Sequence, residues 1–315
     1  MSEANEAVVV PATSANLGCA FDCAALAVNL YLKVRGRLTA EEGFRCRYRG
    51  PNAARIPEGE ANLVARAARA ACERAGVEIR GGEIEIENEI PVAAGLGSSA
   101  AAIVAGILLA TRHLGQEPDE ETTLRLACEL EGHPDNVAAA FCGGLAIAAR
   151  ESDGRVRVVR AALPETLELV AVVPERELAT GHARAALPEN YSRQDAVHNL
   201  QRVALLVAAC FSGAFQFDPE LFHDRLHQPY RAPLVPGLAE CLAVRHPDLG
   251  GVFLSGAGAS VLAIVRRNAG EIGNRLAAEF RRHGVGCRVL PLRPENRGGR
   301  DFFLENHERS DVLDA

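Results

Sequence analysis

Residues 91–102, PVAAGLGSSAAA, put two glycines and two hydroxyls where a strand-like run meets a long apolar helix. That junction has the chemistry of an anion site. Gly95 and Gly97 let backbone approach a polyphosphate, the first N–H groups of the helix lack intrahelical partners, and the helix dipole adds positive charge at the same end. Ser98 and Ser99 can then cap the helix or reach a phosphate or a metal ion. A glycine turn with a serine cap is the plain structural alternative. His223 and His227, four apart around Asp224, have a spacing compatible with a metal pair. No third ligand is evident beside them, and the pair is set aside.

Composition removes several other chemistries. Lys33 is the sole lysine, so 33 of the 34 basic residues are arginine. The chain therefore has neither a G-x-x-x-x-G-K-[ST] phosphate loop nor a later lysine to form a Schiff base. The formal charge is 34 − 41 = −7, which offers no general basic field for a nucleic-acid backbone, and an anionic ligand must be gripped locally. The nine cysteines include no C-x-x-C pair and read as reduced core thiols of a cytoplasmic protein. The opening MSEANEAVVV has neither the basic nor the apolar region of a signal peptide. The apolar stretch 100–110 is far short of the roughly 20 residues that span a bilayer, so no membrane partner is expected.

These residues need elements to hold them. Leu26, Val28, Leu30, Leu32 and Val34 alternate with Ala27, Asn29, Tyr31, Lys33 and Arg35, which predicts a half-buried strand. GEIEIENEI (82–90) predicts a second strand, with Ile84, Ile86 and Ile90 inward and four glutamates outward. Helices are expected over 61–75, over 98–114 with apolar residues on nearly all faces, and over 119–131 with an acidic first turn and a stopping Gly132. Strands follow at 145–150, 156–161 and 167–173. A long helix over 193–211 opens with the S-x-x-D of Ser192 and Asp195. Short helices near 219–226 and 237–246, the strand-turn-strand GVFLSGAGASVLAIV, a helix near 270–283 and a strand over 285–292 complete the second half. Strands and helices do not alternate one for one, which favours an α+β architecture. The boundary falls near residue 165, and the polar tail from Pro294 reads as loosely ordered.

Pro91 to Ala101 resembles the P-x-x-x-G-L-G-S-S-[AG]-A signature of the GHMP small-molecule kinases. PATSANLGCAFD (11–22) resembles the first motif of that family, and LSGAGAS (254–260) resembles its third. EGHPDNVAAAFCGG (131–144), ATGHARAALP (179–188) and DRLHQPYRAPLVPG (224–237) are similar to the homoserine kinase branch. The resemblance spans residues 7 to about 292. It implies a two-domain fold: an N-terminal mixed α/β ATP-binding domain over 1–165, and a C-terminal ferredoxin-like domain over 166–315 that completes the substrate site.

The resemblance also implies the activity, which is ATP-dependent phosphorylation of the side-chain hydroxyl of L-homoserine by a cytoplasmic homodimer. Pro91, Val92, Ala93, Ala94, Gly95, Leu96, Gly97, Ser98, Ser99, Ala100 and Ala101 would wrap the ATP phosphates, and Asn62 would lie along the adenine pocket. Ser99 and Glu129 would hold Mg²⁺, with Glu131 ranked below Glu129 because it points to another helix face. Asn16, Asp22, His133, Arg184 and Arg231 would take the amino acid: arginine suits its carboxylate through a bidentate fork, and aspartate suits its ammonium. Asn136 would stand where other members of the family offer an aspartate as general base, with Asp135 adjacent. Cys19, Ala20 and Ala25 replace a proline and two glycines of the usual first motif, and Ala259 replaces a proline of the third. If either glycine needs positive φ, alanine there would strain the loop that holds Asp22. Another small alcohol such as mevalonate, or a silent nucleotide-binding protein of the same fold, are the competing readings.

Overall fold

The computed structural model describes residues 7–213 and 217–305. Its centre is a 20-residue strand, β2 (Ala20–Thr39), which pairs antiparallel with β1 (Val8–Asn16) along much of its length. β3 (Gly43–Arg49), β4 (Gly81–Asn88), β5 (Leu145–Arg150) and β6 (Val156–Ala161) extend the sheet in the order β3-β4-β2-β5-β6. The β3–β4 pair is parallel and the other pairs are antiparallel. β3 escapes the sequence reading, although Phe44 and Cys46 are buried between exposed Arg45 and Arg47 in strict alternation.

Four helices cover this sheet: α1 (Leu63–Arg74), α2 (Ser98–His113), α3 (Glu120–Glu131) and α4 (Asp135–Cys142). α2 is buried from Ala100 to Ala110 save Ala102, as a helix apolar on most faces must be. Its small side chains sit between β1, β2, α1 and α4. Asp119 caps α3 by accepting from Thr122 N, and Gly132 at φ 95° ends it.

The second sheet runs β10-β7-β9-β8, built from β7 (Glu168–Pro174), β8 (Leu249–Leu254), β9 (Val261–Val265) and β10 (Cys287–Leu292) with every pairing antiparallel. Numbered along the chain within this half, the strands read 4-1-3-2 across the sheet, the ferredoxin-like arrangement. α5 (Thr180–Ala185) and α6 (Arg193–Phe211) follow β7; α7 (Gln228–Arg231), α8 (Leu238–Ala243) and α9 (Ala269–Arg282) complete the half. Ser192 caps α6 through Asp195 N.

The tail departs from expectation. Residues 293–305 return to the first sheet instead of hanging loose: Glu295 N donates to Ala27 O, and Gly144 N donates to Glu295 O. Asn296 bonds Leu163 through both ends of its amide, and Phe303 is buried. Its composition is polar because backbone ladders and side-chain amides, more than apolar area, fasten it. The remainder of the tail, 306–315, lies outside the described residues.

Candidate active site

Three loops meet where the two sheets approach. The loop 255–260 after β8 is stitched to the end of β1 by Gly256 N donating to Ala15 O and by Asn16 Nδ2 donating to Gly256 O. The same loop holds the glycine loop: Ser260 N donates to Ala94 O, and Ser255 Oγ donates to Gly95 O at 2.7 Å. Ser14 Oγ and Ser255 Oγ lie 2.8 Å apart. Gly95 and Gly97 adopt φ 81° and 70°. A Cβ on Gly95 would fall on Ser255 O, and one on Gly97 on Thr13 Oγ1, so both positions exclude any larger residue. Gly97 is also the N-cap of α2, which leaves the start of that helix directed at the adjoining cavity.

The cavity measures about 340 Å³. Its lining includes Asn16, Asp22, Asn62, residues 91–99, His133, Asn136, Arg184 and Arg231. One part of the wall, with Tyr48, Ile56, Pro57, Leu63 and Ile86, is mostly apolar and suits a flat heteroaromatic ring. Asn62 belongs to this part, but its side chain is committed: Oδ1 accepts from Val64 N as the cap of α1, and Nδ2 donates to Pro57 O. It shapes the wall.

The opposite part is charged. Arg184 of α5 donates two hydrogen bonds, 2.7 and 2.8 Å, to the two carboxylate oxygens of Asp22. These bonds hold the Arg184 guanidinium above its ordinary value against the burial that lowers it. Asp22 sits at φ 53°, where the Asn16 amide oxygen accepts its N–H. Arg231 is fully buried, donating from Nε to Ala183 O and from Nη1 to Gly256 O, and its head lines the cavity. Burial, and then the charge of Arg184, pull it down to about 10, with Asp22 and Asp224 opposing. It stays cationic at neutral pH. Phe21, which sequence reasoning missed, lies under both guanidinium groups at 5.7 and 5.3 Å.

At the third corner Asp135 Oδ1, at the start of α4, takes Asn136 N and lies 2.6 Å from His133 Nδ1. Burial is the largest influence on His133 and lowers its pKa. The Asp135 bond and charge, with Glu131, outweigh it and leave the imidazole above its usual value. Asn136 Oδ1 accepts from Thr13 Oγ1 at 2.7 Å.

The expectation for Glu129 is corrected, and the structure places the remaining residues. Glu129 does not line the cavity: it is bound to Arg74 at 2.8 Å and approaches Arg125 at 3.6 Å. The carboxylate that meets Ser99 is Glu131, whose Oε1 accepts from Ser99 Oγ at 2.6 Å. Two residues on an α-helix are roughly 200° apart, so only one of the pair can face the glycine loop. Ala100 and Ala101 have their side chains in the core behind the loop, away from the cavity. Ala20 and Ala25 are not at positive φ and are buried strand residues, so the alanines put no strain on the Asp22 loop. His223 lies 3.1 Å from Glu220 at the surface while His227 turns inward.

A mixed sheet joined to a ferredoxin-like half, with three loops enclosing a glycine-rich helix start, is the architecture of a GHMP kinase. The family's "GHMP kinases N terminal domain" matches residues 62–144, and its "GHMP kinases C terminal" matches 207–282. The homoserine kinase of Solibacter usitatus is 42% identical over 289 residues, covering 92% of this chain and 94% of that protein. That of Moorella thermoacetica is 42% identical over 294 residues, 92% of this chain and 98% of its own. The crystal structure of homoserine kinase from Cytophaga hutchinsonii superposes with a TM-score of 0.80 at 30% identity, over 92% of this chain and 95% of that one. The chain belongs to the homoserine kinase family of GHMP kinases.

Proposed function

We propose that the protein transfers the γ-phosphoryl group of ATP to the side-chain hydroxyl of L-homoserine. The observation that carries this reading is the charged part of the cavity, where Arg184, Arg231 and Asp22 offer two cations and one anion beside a phosphate-binding loop. An α-amino acid needs that set; mevalonate, which has a carboxylate and no ammonium, does not need Asp22. Among relatives, the family name points the same way.

On this reading the start of α2 and residues 91–99 take the triphosphate of ATP, whose ring lies along the apolar wall near Tyr48, Ile56 and Pro57. Arg231 and Arg184 take the amino-acid carboxylate, Arg184 leaving Asp22, which receives the ammonium. His133 and Asn136 line the space for the hydroxyl. Phosphoryl transfer through a loose transition state relies mainly on alignment and charge neutralisation. Asn136 is not a base, and Asp135 is already engaged by two donors. We assign no essential general base.

Ser99 and Glu131 supply two adjacent hard oxygens at the loop, which fits Mg²⁺, a cation that uses few protein ligands and completes its shell with phosphates and water. When bound, that ion would neutralise phosphate charge that no lysine of the cavity lining meets. A homodimer in the cytoplasm is part of the same reading. The exposed Val197, Leu200, Leu205 and Phe211 on α6 support the first, and nine free thiols support a reducing compartment. No helix among the described residues is long and apolar enough to cross a membrane.

A coupled ADP-release assay over homoserine, threonine, serine and mevalonate tests the substrate. Homoserine should give the highest kcat/KM, and a preference for mevalonate would overturn the reading.

A further inference from the structure

His227 has no exposed surface and belongs to no part of the mechanism above. Its ring nevertheless bridges two functional segments. Nε2 lies 2.7 Å from Gly18 O, in the turn between β1 and β2, and Nδ1 lies 3.2 Å from Nη1 of Arg231. Both partners have fixed hydrogen-bonding roles. A carbonyl only accepts, so Nε2 carries the proton; a guanidinium only donates, so Nδ1 presents its lone pair. The ring is held as the neutral Nε2–H tautomer. Burial, the largest influence on it, and the Arg231 charge also disfavour protonation, against the opposing pull of Asp224.

The surroundings fix the ring's direction. Asp224 accepts from the N–H groups of Leu226, His227 and Gln228, and from Asn199 Nδ2 of α6. Four donors on one buried carboxylate define the turn that delivers His227 to the start of α7. Phe21 stacks on the imidazole at 5.2 Å and 25° while also lying under Arg231. Arg231 itself is one helical turn on, its N–H donating to His227 O at 3.0 Å.

We infer that His227 is a positioning residue for Arg231: its Nδ1 accepts from the guanidinium and fixes the direction in which the arginine meets the carboxylate of the substrate. The inference rests on the amino-acid reading above for the identity of that carboxylate, but the His227–Arg231 contact is independent of it. Nη1 carries two N–H groups and also donates to Gly256 O at 3.1 Å, so two acceptors on one nitrogen set the plane of the fork.

Two substitutions separate anchoring from positioning. His227→Gln places an amide N–H where Nε2–H donates to Gly18 and removes the acceptor for Arg231. His227→Asn places an amide oxygen near the Nδ1 position and removes the Gly18 donor. We expect His227→Gln to raise the homoserine KM about tenfold or more, the scale of a lost hydrogen bond to a charged group, with ATP KM and kcat little changed. His227→Asn should restore much of the homoserine KM. Equal damage from both variants with a matching rise in ATP KM would show a structural role only, and an unchanged homoserine KM in His227→Gln would overturn the inference.

The wild-type protein supplies a second readout that does not depend on a variant folding. In ¹⁵N-histidine NMR near neutral pH, the ring assigned by its contacts to Phe21 should show a protonated Nε2 and an unprotonated Nδ1. A protonated Nδ1 would overturn the assignment. If the wild type fails to turn over homoserine while the tautomer is as stated, the substrate reading falls and the His227–Arg231 contact stands.

Discussion

Arg184 and Asp22 lie 162 positions apart in the chain and meet through two hydrogen bonds across the junction of the two sheets. In this pair one cation and the anion of the site satisfy each other. A zwitterion brings one charge of each sign and can take both partners over without leaving either unpaired. A ligand with only a carboxylate or only an ammonium strands one of them, which costs free energy wherever water is partly excluded.

Asp22→Asn should therefore raise the homoserine KM at least tenfold, on the scale of a charged hydrogen bond, and leave the ATP KM nearly unchanged. The pair is about one-third exposed on each side, so solvent screening keeps its contribution to stability small. Steady-state kinetics on both substrates and a melting curve check both halves: equal losses for ATP and homoserine would show a folding defect instead.

Glu131→Gln should remove turnover by about 10²–10³-fold, the scale of losing one oriented charge at a reacting phosphate. Glu129→Gln should retain it within a few-fold, because Glu129 is occupied by Arg74 and Arg125. Titrating Mg²⁺ against both variants at fixed ATP separates them. Near-normal turnover of Glu131→Gln at limiting Mg²⁺ would remove it from the metal site.

Arg231→Lys should raise the homoserine KM strongly with a smaller effect on ATP. A lysine cannot reproduce the planar fork that reaches Ala183 O and Gly256 O at once. Kinetics with each substrate varied in turn decide between this and a phosphate role, which would move the ATP KM as much.

His133 titrates above the usual histidine value because Asp135 and Glu131 together outweigh burial. Its protonated form is the one favoured in the fold. The stability this adds is complete below the ordinary pKa of about 6.5 and is lost as pH rises through the higher folded value. Asp135→Asn should lower the His133 pKa, measured by NMR titration. The same variant tests for a base: a fall in kcat of about 10²–10⁴-fold with loss of the acidic-limb pKa would show general base catalysis after all.

Much of the site is legible in sequence because its loops are made of residues with few other uses. Gly95 and Gly97 mark a backbone that must approach closely, and Ser98 and Ser99 mark a helix start. The choice between Glu129 and Glu131 is different in kind. Helical periodicity separates the two faces, but the docking of α3 beside α1 and α2 decides which face meets Ser99. His227 is similarly opaque: its spacing from His223 reads as a helical pair, yet the chain between them is a turn wound on Asp224. In the tail, polar composition hides the hydrogen bonds of Glu295 and Asn296, since a ladder onto Ala27, Gly144 and Leu163 leaves no hydrophobic pattern. β3 carried the alternation needed to find it, with Phe44 and Cys46 inward and arginines outward.

In the proposed reaction, phosphate reaches the side-chain oxygen of homoserine. Incubating the protein with ATP, Mg²⁺ and L-homoserine, and following ³¹P NMR with mass analysis of the product, measures this directly. A new phosphomonoester resonance coupled to the γ-methylene protons should appear in step with ADP. ADP release without a homoserine-bound phosphate, or a phosphate carried by the carboxylate instead of the hydroxyl, would contradict it.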